Sequence, residues 1–157
     1  MKAILRSGAF LLVLAACTPR TPPPAPAPLP PPPPPAAPQP SEPERARAAW
    51  EEATRLSRQG RWPQAEARLR EAVRLDPDQQ RYHMALADAL IQLGYHSAAA
   101  DELMAAIQIE ESRAEPNHRV LVVDYDRLIE LLERVNRLDE ARSARGRQEE
   151  HRRRRDQ

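Results

Sequence analysis

The chain has little of the material that stabilises many small folds. Cys17 is its only cysteine, so no disulfide can form within the chain and the fold depends on burial alone. Aromatic residues make up 4% of the sequence and β-branched residues are few, which favours helices over sheet. The longest apolar run, residues 9–16, is far shorter than the roughly 20 residues that span a bilayer. A net charge of +1 gives no indication of a nucleic-acid-binding protein.

The N-terminal residues have the layout of a targeting segment. Lys2 and Arg6 are positively charged, the apolar run 9–16 follows, and small residues lie before Cys17. The sequence Leu-Ala-Ala-Cys at positions 14–17 resembles the lipobox of bacterial lipoprotein precursors. The alternative is an ordinary secretory signal in which the thiol of Cys17 is incidental.

The lipobox resemblance implies a lipid anchor. Residues 1–16 would be a signal peptide, and the thiol of Cys17 would carry a diacylglyceryl group whose chains insert into a membrane. In lipoproteins of this kind an Asp after the cysteine favours retention in the inner membrane, whereas this chain has Thr18. The expected location is therefore the cell envelope, with an outer-membrane lipid anchor facing the periplasm.

Proline is concentrated in one segment. Of the 18 prolines, 15 lie between Pro19 and Pro43, and six are consecutive from Pro30 to Pro35. Proline lacks the backbone N–H that helices and sheets need, so residues 17–43 are predicted to be a disordered or polyproline II linker. At about 3.1 Å per residue, the stretch from Thr18 to Ser41 within it would reach on the order of 75 Å. A ligand for an SH3-type domain is the alternative interpretation.

The segment 46–112 repeats itself with a period of 34. Ala and Leu positions of one unit recur in the next, and Gly60 recurs as Gly94. The matched pairs are Ala53 and Ala87, Leu56 and Leu90, Ala65 and Ala99, Leu69 and Leu103, and Ala72 and Ala106. A fixed period of this length is typical of stacked helical repeats. Small residues allow antiparallel helices to approach closely, and glycine enters the left-handed turn that ends a helix.

These positions resemble the signature of the tetratricopeptide repeat. The matching residues are Gly60, Trp62, Ala65, Leu69, Ala72 and Pro77 in the first unit, and Leu86, Ala87, Leu90, Gly94, Ala99, Leu103 and Ala106 in the second. A weaker third copy appears at an offset of 42, with Asn136 in place of Gly94. The resemblance implies an all-α fold of two clear repeats and one degenerate capping repeat, forming a short right-handed superhelix.

The sequence predicts six helices in this region. Their expected bounds are 42–58, 62–75, 79–93, 96–109, 118–135 and 138–152. The repeat domain is expected to span residues 44–150, followed by a basic disordered tail at 151–157. Ser41, with Glu44 three residues later, predicts a capping box at the first helix.

No catalytic or cofactor motif is present. The histidines His83, His96, His118 and His151 have no metal-ligand spacing, and no phosphate-binding loop or nucleophile elbow occurs. We therefore expect no enzymatic activity, no cofactor, no metal site and no small-molecule substrate. Nucleic acid is not an expected partner.

In tetratricopeptide-repeat proteins the first helix of each pair lines the concave face, which implies a partner-binding groove. The candidate residues are Arg47, Trp50, Thr54, Arg58, Arg81, Met84, Asp88 and Ile91. Arg47 and Arg58 predict a basic groove that favours an acidic or C-terminal peptide. Burial in the core is the alternative for Trp50 and Met84.

The resulting hypothesis is a lipid-anchored envelope scaffold or assembly factor that binds an envelope protein or peptide. Pilus, outer-membrane and cell-wall machinery are the candidate pathways. The alternative is direct binding of cell-wall polymer, or of an anionic envelope surface, through the four arginines Arg152 to Arg155. Those arginines can equally be a solvated helix end, where cations complement the helix dipole.

Overall fold

A computed structural model describes residues 40–156 of the chain. The expected signal peptide, Cys17 and the linker up to residue 39 lie outside the described residues. The six predicted helices are all present, and no strand occurs between residues 40 and 156. The helices are α1 (Glu42–Arg58), α2 (Trp62–Leu75), α3 (Gln80–Gln92), α4 (His96–Glu111), α5 (His118–Arg134) and α6 (Leu138–Arg155). None of them is both long and apolar enough to cross a membrane.

The helices pack as three successive hairpins. α1 pairs with α2, α3 with α4 and α5 with α6, while α2 against α3 and α4 against α5 join one hairpin to the next. α1 also touches α3 directly. This order confirms the predicted stack of helix-turn-helix repeats. The first helices α1, α3 and α5 therefore follow one another along the stack.

Local signals define where helices begin. The backbone N–H of Ser41 donates to Glu44 Oε2 at 2.7 Å, and the Ser41 hydroxyl lies 2.9 Å from the same oxygen. These hydrogen bonds lower the pKa of Glu44 and confirm the predicted capping box. At the start of α5, the Asn117 side chain accepts a hydrogen bond from the N–H of Val120 at 3.2 Å. A longer connection, residues 112–117, separates α4 from α5 where the sequence offset grows.

The core consists largely of alanine and leucine at the helix crossings. Ala53, Ala65, Ala87 and Ala99 are fully buried, which lets neighbouring helices approach closely. One hydrophobic cluster extends from α1 to α6, and a smaller one joins α1, α2 and α3 around Tyr82. The domain is therefore held together hairpin by hairpin, as repeat proteins are.

The prediction of a disordered tail from residue 151 is wrong through residue 155. α6 continues to Arg155, and His151 is buried rather than exposed. Gln148 is also buried, and its Nε2 donates to the carbonyl oxygen of Val122 at 3.0 Å and to Asp126 Oδ1 at 2.6 Å. Hydrogen bonds replace apolar packing on the last turns of α6, so the sequence shows no hydrophobic pattern there.

Candidate functional site

An open cleft of about 440 Å³ lies along α1, α3 and α5, the first helices of the three hairpins. Five of the eight predicted groove residues line it: Trp50, Thr54, Arg81, Met84 and Asp88. Gln80 and Ala85 of α3 and Val120 and Asp124 of α5 complete the lining. The residues of α5 were missed because its sequence departs from the 34-residue period.

The other three predicted residues lie outside this lining. Arg47 is exposed on α1 and faces Glu51, one helical turn away, with the Arg47 Nε to Glu51 Oε1 distance at 3.8 Å. Arg58 is exposed in the last turn of α1. Ile91 is partly buried and packs against the main hydrophobic cluster. The two arginines expected to make the groove basic therefore do not contribute to its walls.

Trp50 belongs to both the cleft and the packed interior. Its side chain is partly buried and packs against both hydrophobic clusters. The Trp50 and Tyr82 ring centroids lie 6.2 Å apart with the ring planes inclined at 41°. The Arg81 guanidinium carbon lies 5.2 Å from the Trp50 centroid and 5.3 Å from that of Tyr82, close enough for cation–π attraction. Trp50 thus offers an aromatic surface held in place by its neighbours.

The α5 side of the cleft is acidic. Asp88 of α3 accepts a hydrogen bond from Arg127 of α5, which ties the two helices together at the rim. Asp124 is only 4% exposed, and its Oδ2 has no hydrogen-bond partner. Burial raises the pKa of Asp124, which the Arg127 charge partly offsets, while the carboxylates of Glu110 and Asp88 raise it further. The cleft walls therefore carry Arg81, Asp88 and Asp124, and the expectation of a basic groove is not met.

A second pocket of about 370 Å³ lies between α4, α5 and α6. Met104, Ile107 and Leu128 contribute apolar walls, and Glu111 and Tyr125 lie at its polar side. Its α5 residues, Tyr125, Leu128 and Leu132, are not those that line the first cleft.

Three polar side chains of this second pocket, Glu111, Tyr125 and Arg147, are joined by hydrogen bonds to the Glu111 carboxylate. Glu111 accepts hydrogen bonds from the Tyr125 hydroxyl at 2.7 Å, from His151 Nε2 at 2.8 Å and from Arg147 Nη1 at 3.1 Å. His151 Nδ1 lies 2.9 Å from His118 Nδ1, so one of the two nitrogens donates and the other accepts. This arrangement joins α6 to α4 and α5. Both oxygens of Glu111 have hydrogen-bond partners, in contrast to Oδ2 of Asp124, which has none among the described residues.

His83 of α3 has a structural role at the contact with α4. His83 is buried, and its ring nitrogens lie 2.7 Å from Glu102 Oε2 and 2.9 Å from the carbonyl oxygen of Pro77. The hydrogen bond to Glu102 raises the pKa of His83 against the opposing effect of burial. No group of three or more His, Cys, Asp or Glu side chains between residues 40 and 156 is arranged to hold a metal ion.

Comparison with known proteins agrees with the architecture. Residues 51–116 match the tetratricopeptide repeat family. The structure resembles the N-terminal domain of stress-induced protein-1 (STI-1) from C. elegans, with a TM-score of 0.61 and 13% sequence identity. That match covers 72% of this chain and 88% of the other. No curated protein matches the sequence significantly. The described residues therefore form a tetratricopeptide-repeat fold, an architecture that serves as a scaffold for protein–protein interaction.

Proposed function

We propose that this protein is a lipid-anchored scaffold or assembly factor of the cell envelope, and that it holds a partner protein or peptide in the cleft formed by α1, α3 and α5. The role as an interaction scaffold follows from the tetratricopeptide-repeat fold. The envelope setting rests on the sequence around Cys17. Pilus, outer-membrane and cell-wall machinery remain the candidate pathways.

The cleft itself carries the proposal. It runs across all three hairpins, and apolar surface is accessible in it on Trp50, Met84 and Val120. Val120 is 40% exposed although it is a large hydrophobic residue. Apolar surface flanked by charged groups is typical of a protein-binding surface.

The anchor supports the same function. Lipid chains on Cys17 would hold the chain at a membrane, and the proline-rich segment from residue 18 to 40 would let the repeat domain reach on the order of 75 Å from it. Thr18 favours the outer membrane and a periplasmic orientation. A tethered domain of this kind raises the local concentration of its partner at the membrane.

The charges near the C-terminus favour this proposal over direct binding of an anionic polymer. Each of the four arginines from Arg152 to Arg155 lies within ion-pair distance of an acidic residue on the same helix end: Glu149, Glu150 or Asp156. Exposed pairs of this kind are weak, yet the three carboxylates offset three of the four positive charges. The segment therefore does not present an uncompensated basic patch.

Affinity capture from the native host, after crosslinking, tests the function. The wild-type chain should retain one or a few envelope proteins, and Trp50→Ala should lose them because it removes the aromatic wall of the cleft. Tyr95→Ala is the matched control, since Tyr95 is 59% exposed and lies outside the cleft lining. Equal capture by all three chains would overturn the assignment of the cleft.

The anchor needs a separate experiment. Cys17→Ser removes the thiol that carries the lipid, so the variant should move from the membrane to the soluble fraction. Metabolic labelling with a fatty-acid analogue should mark the wild-type chain and not the variant. A wild-type chain that never incorporates the label would refute lipidation while leaving the cleft untouched.

A further inference from the structure

We propose that the partner segment inserts a lysine or arginine side chain into the cleft, where the carboxylate of Asp124 receives it and Asp88 borders the entry. This inference rests on the proposed binding function and specifies the chemistry of the partner. It differs from the acidic or C-terminal peptide that Arg47 and Arg58 would have favoured.

Asp124 is the residue that points to a missing cation. It lines the cleft from α5, its side chain is more than nine-tenths buried, and its Oδ2 has no hydrogen-bond partner. Burying a carboxylate without a partner is unfavourable, and the large majority of buried polar atoms in proteins are hydrogen-bonded. Asp124 nevertheless belongs to the lining of the cleft, so a cation supplied by a bound partner would give this carboxylate the counterion that it lacks.

Within residues 40–156, Asp124 has no ion-pair partner of its own, although the charge of Arg127 acts on it. Asp88 is paired with Arg127 across the rim. Glu110 is paired with Arg113, with Glu110 Oε2 and Arg113 Nη1 at 2.9 Å. Its other oxygen accepts a hydrogen bond from the N–H of Asn117, also at 2.9 Å. Arg127 and Arg113 thus form ion pairs with Asp88 and Glu110, and Asp124 is the carboxylate of the three that has no such pair.

Arg81, the remaining cation of the lining, is engaged elsewhere. Its guanidinium lies over the rings of Trp50 and Tyr82 rather than beside Asp124. This placement also shows that the aromatic wall of the cleft accepts a flat cation at short range. An incoming lysine or arginine can therefore use the carboxylate at its tip and the apolar wall along its aliphatic stem.

The apolar residues of the cleft specify what flanks the cation. Met84 and Val120 lie on the same lining as Asp124, and both expose apolar surface. A segment in which apolar residues neighbour one basic residue matches this arrangement. A partner segment that carries a carboxylate at the same position would meet Asp88 and Asp124 and be repelled.

Selection of peptides on the full chain tests the inference. A random dodecapeptide phage library is selected on the wild-type protein, and the most enriched peptide is synthesised with a fluorescent label. We expect it to contain a lysine or arginine beside apolar residues. Its Kd, measured by fluorescence polarisation, should rise about tenfold or more on Asp124→Asn, because a desolvated charge pair is lost.

A substitution in the peptide tests the same contact as Asp124→Asn does in the protein. Replacing the basic residue by norleucine, which keeps the aliphatic stem, should weaken binding to the wild type by a similar factor. Asp124→Asn should show little further loss with the norleucine peptide, since the two changes remove the same contact. Asp139→Asn is the control, because that carboxylate is 94% exposed on α6 and away from the cleft.

The outcomes separate this inference from the proposed function. Peptides whose binding is lost on Trp50→Ala but unchanged on Asp124→Asn would overturn the inference and leave the cleft as the binding site. Enriched peptides without a basic residue, or with a required acidic one, would overturn it as well. Binding that needs neither Trp50 nor Asp124, or no enrichment at all, would overturn both. Asp88→Asn, together with the norleucine peptide, provides the test if Asp124→Asn fails to fold.

Discussion

Gly94 and Asn136 end α3 and α5 with the same backbone geometry. Their φ angles are +80° and +63°, in the left-handed region, and the residue after each donates its N–H to a carbonyl five positions back. These hydrogen bonds join Tyr95 to Leu90 at 2.9 Å and Arg137 to Leu132 at 2.8 Å. Gly60, at +72°, does the same after α1. One turn therefore closes all three hairpins, with asparagine replacing glycine in the last.

The shared turn predicts a difference between two substitutions at one position. Gly94→Val should destabilise the domain by more than about 1 kcal/mol, because a β-branched residue is strained at positive φ. Gly94→Asn should cost less, since asparagine already occupies this turn at position 136. A Cβ at Gly94 would meet no atom within 4 Å, so the expected cost comes from backbone strain rather than from a clash of the Cβ atom. Urea denaturation followed by circular dichroism measures both, and equal midpoints would contradict this account of the turn.

The repeat pattern made most of the fold predictable, including this turn. Each helix end that the sequence predicted lies within three residues of the observed one, and the largest difference is at Arg155 of α6. Alanine at close helix crossings and glycine at turns are strong local constraints, so they appear directly in the sequence. The third hairpin was found through Asn136 and the larger offset, because the connection 112–117 interrupts the period without changing the packing.

The missed features are those that depend on partners distant in sequence. Gln148 and His151 are polar, so their positions on α6 indicated a solvated end, yet hydrogen bonds to Val122 and Glu111 bury them. The place of Asp124 beside Asp88 depends on how α5 packs past α3, which no local pattern specifies. The acidic side of the cleft could therefore not be predicted from the sequence.

The hydrogen bond between His83 and Glu102 should make a pH-dependent contribution to the free energy of unfolding. Because the hydrogen bond to Glu102 raises the pKa of His83 above its ordinary value of 6.5, folding favours the protonated ring. That stabilisation is complete below about pH 6.5 and is lost as the pH rises through the higher folded-state pKa. His83→Gln should therefore cost about 1–2 kcal/mol near pH 5.5 and less near pH 9.

Urea denaturation of wild type and variant across this pH range measures the effect. Glu102→Gln removes the other partner and should give a deficit with the same pH dependence. A deficit for His83→Gln that stays constant from about pH 5.5 to pH 9 would show that the ring is held by packing rather than by charge.

The contribution of Glu111 to stability should have the opposite pH dependence from that of His83. Burial alone would raise the pKa of Glu111, but hydrogen bonds from Tyr125 and His151 and the charge of Arg147 together lower it. The stabilisation that Glu111 gives to the folded state is therefore complete above its ordinary pKa of 4.5. It is lost as the pH falls through the lower pKa of the folded state. Glu111→Gln should cost about 1–3 kcal/mol at neutral pH, and the deficit should shrink in acid.

The exposed residue Glu115, on the connection between α4 and α5, supplies the control for this change. Glu115→Gln should leave the free energy of unfolding at neutral pH nearly unchanged. A neutral-pH deficit for Glu111→Gln no larger than that of Glu115→Gln would mean that the cluster at the end of α6 adds nothing to stability.

Trp50→Ala should lower the free energy of unfolding by an amount between those typical of core and of surface substitutions. Full burial would make Trp50→Ala cost about 3–5 kcal/mol, whereas its ring is partly accessible in the cleft. We expect a loss of about 1–2 kcal/mol, from reduced contact with both clusters and with Arg81. Trp50→Phe, which keeps an aromatic ring, should lose less. A loss of 3 kcal/mol or more in urea denaturation would identify Trp50 as a core residue and weaken its assignment to partner binding.

Site-specific photo-crosslinking in the native host tests most directly whether a partner binds in the cleft of α1, α3 and α5. A photoreactive amino acid replaces Thr54 or Met84 in the cleft, or Gln64 on the exposed surface of α2 as the control. The account predicts that the two cleft positions yield the same protein adduct, that Gln64 yields none, and that Trp50→Ala abolishes the adduct. Adducts from Gln64 but from neither cleft position would contradict it.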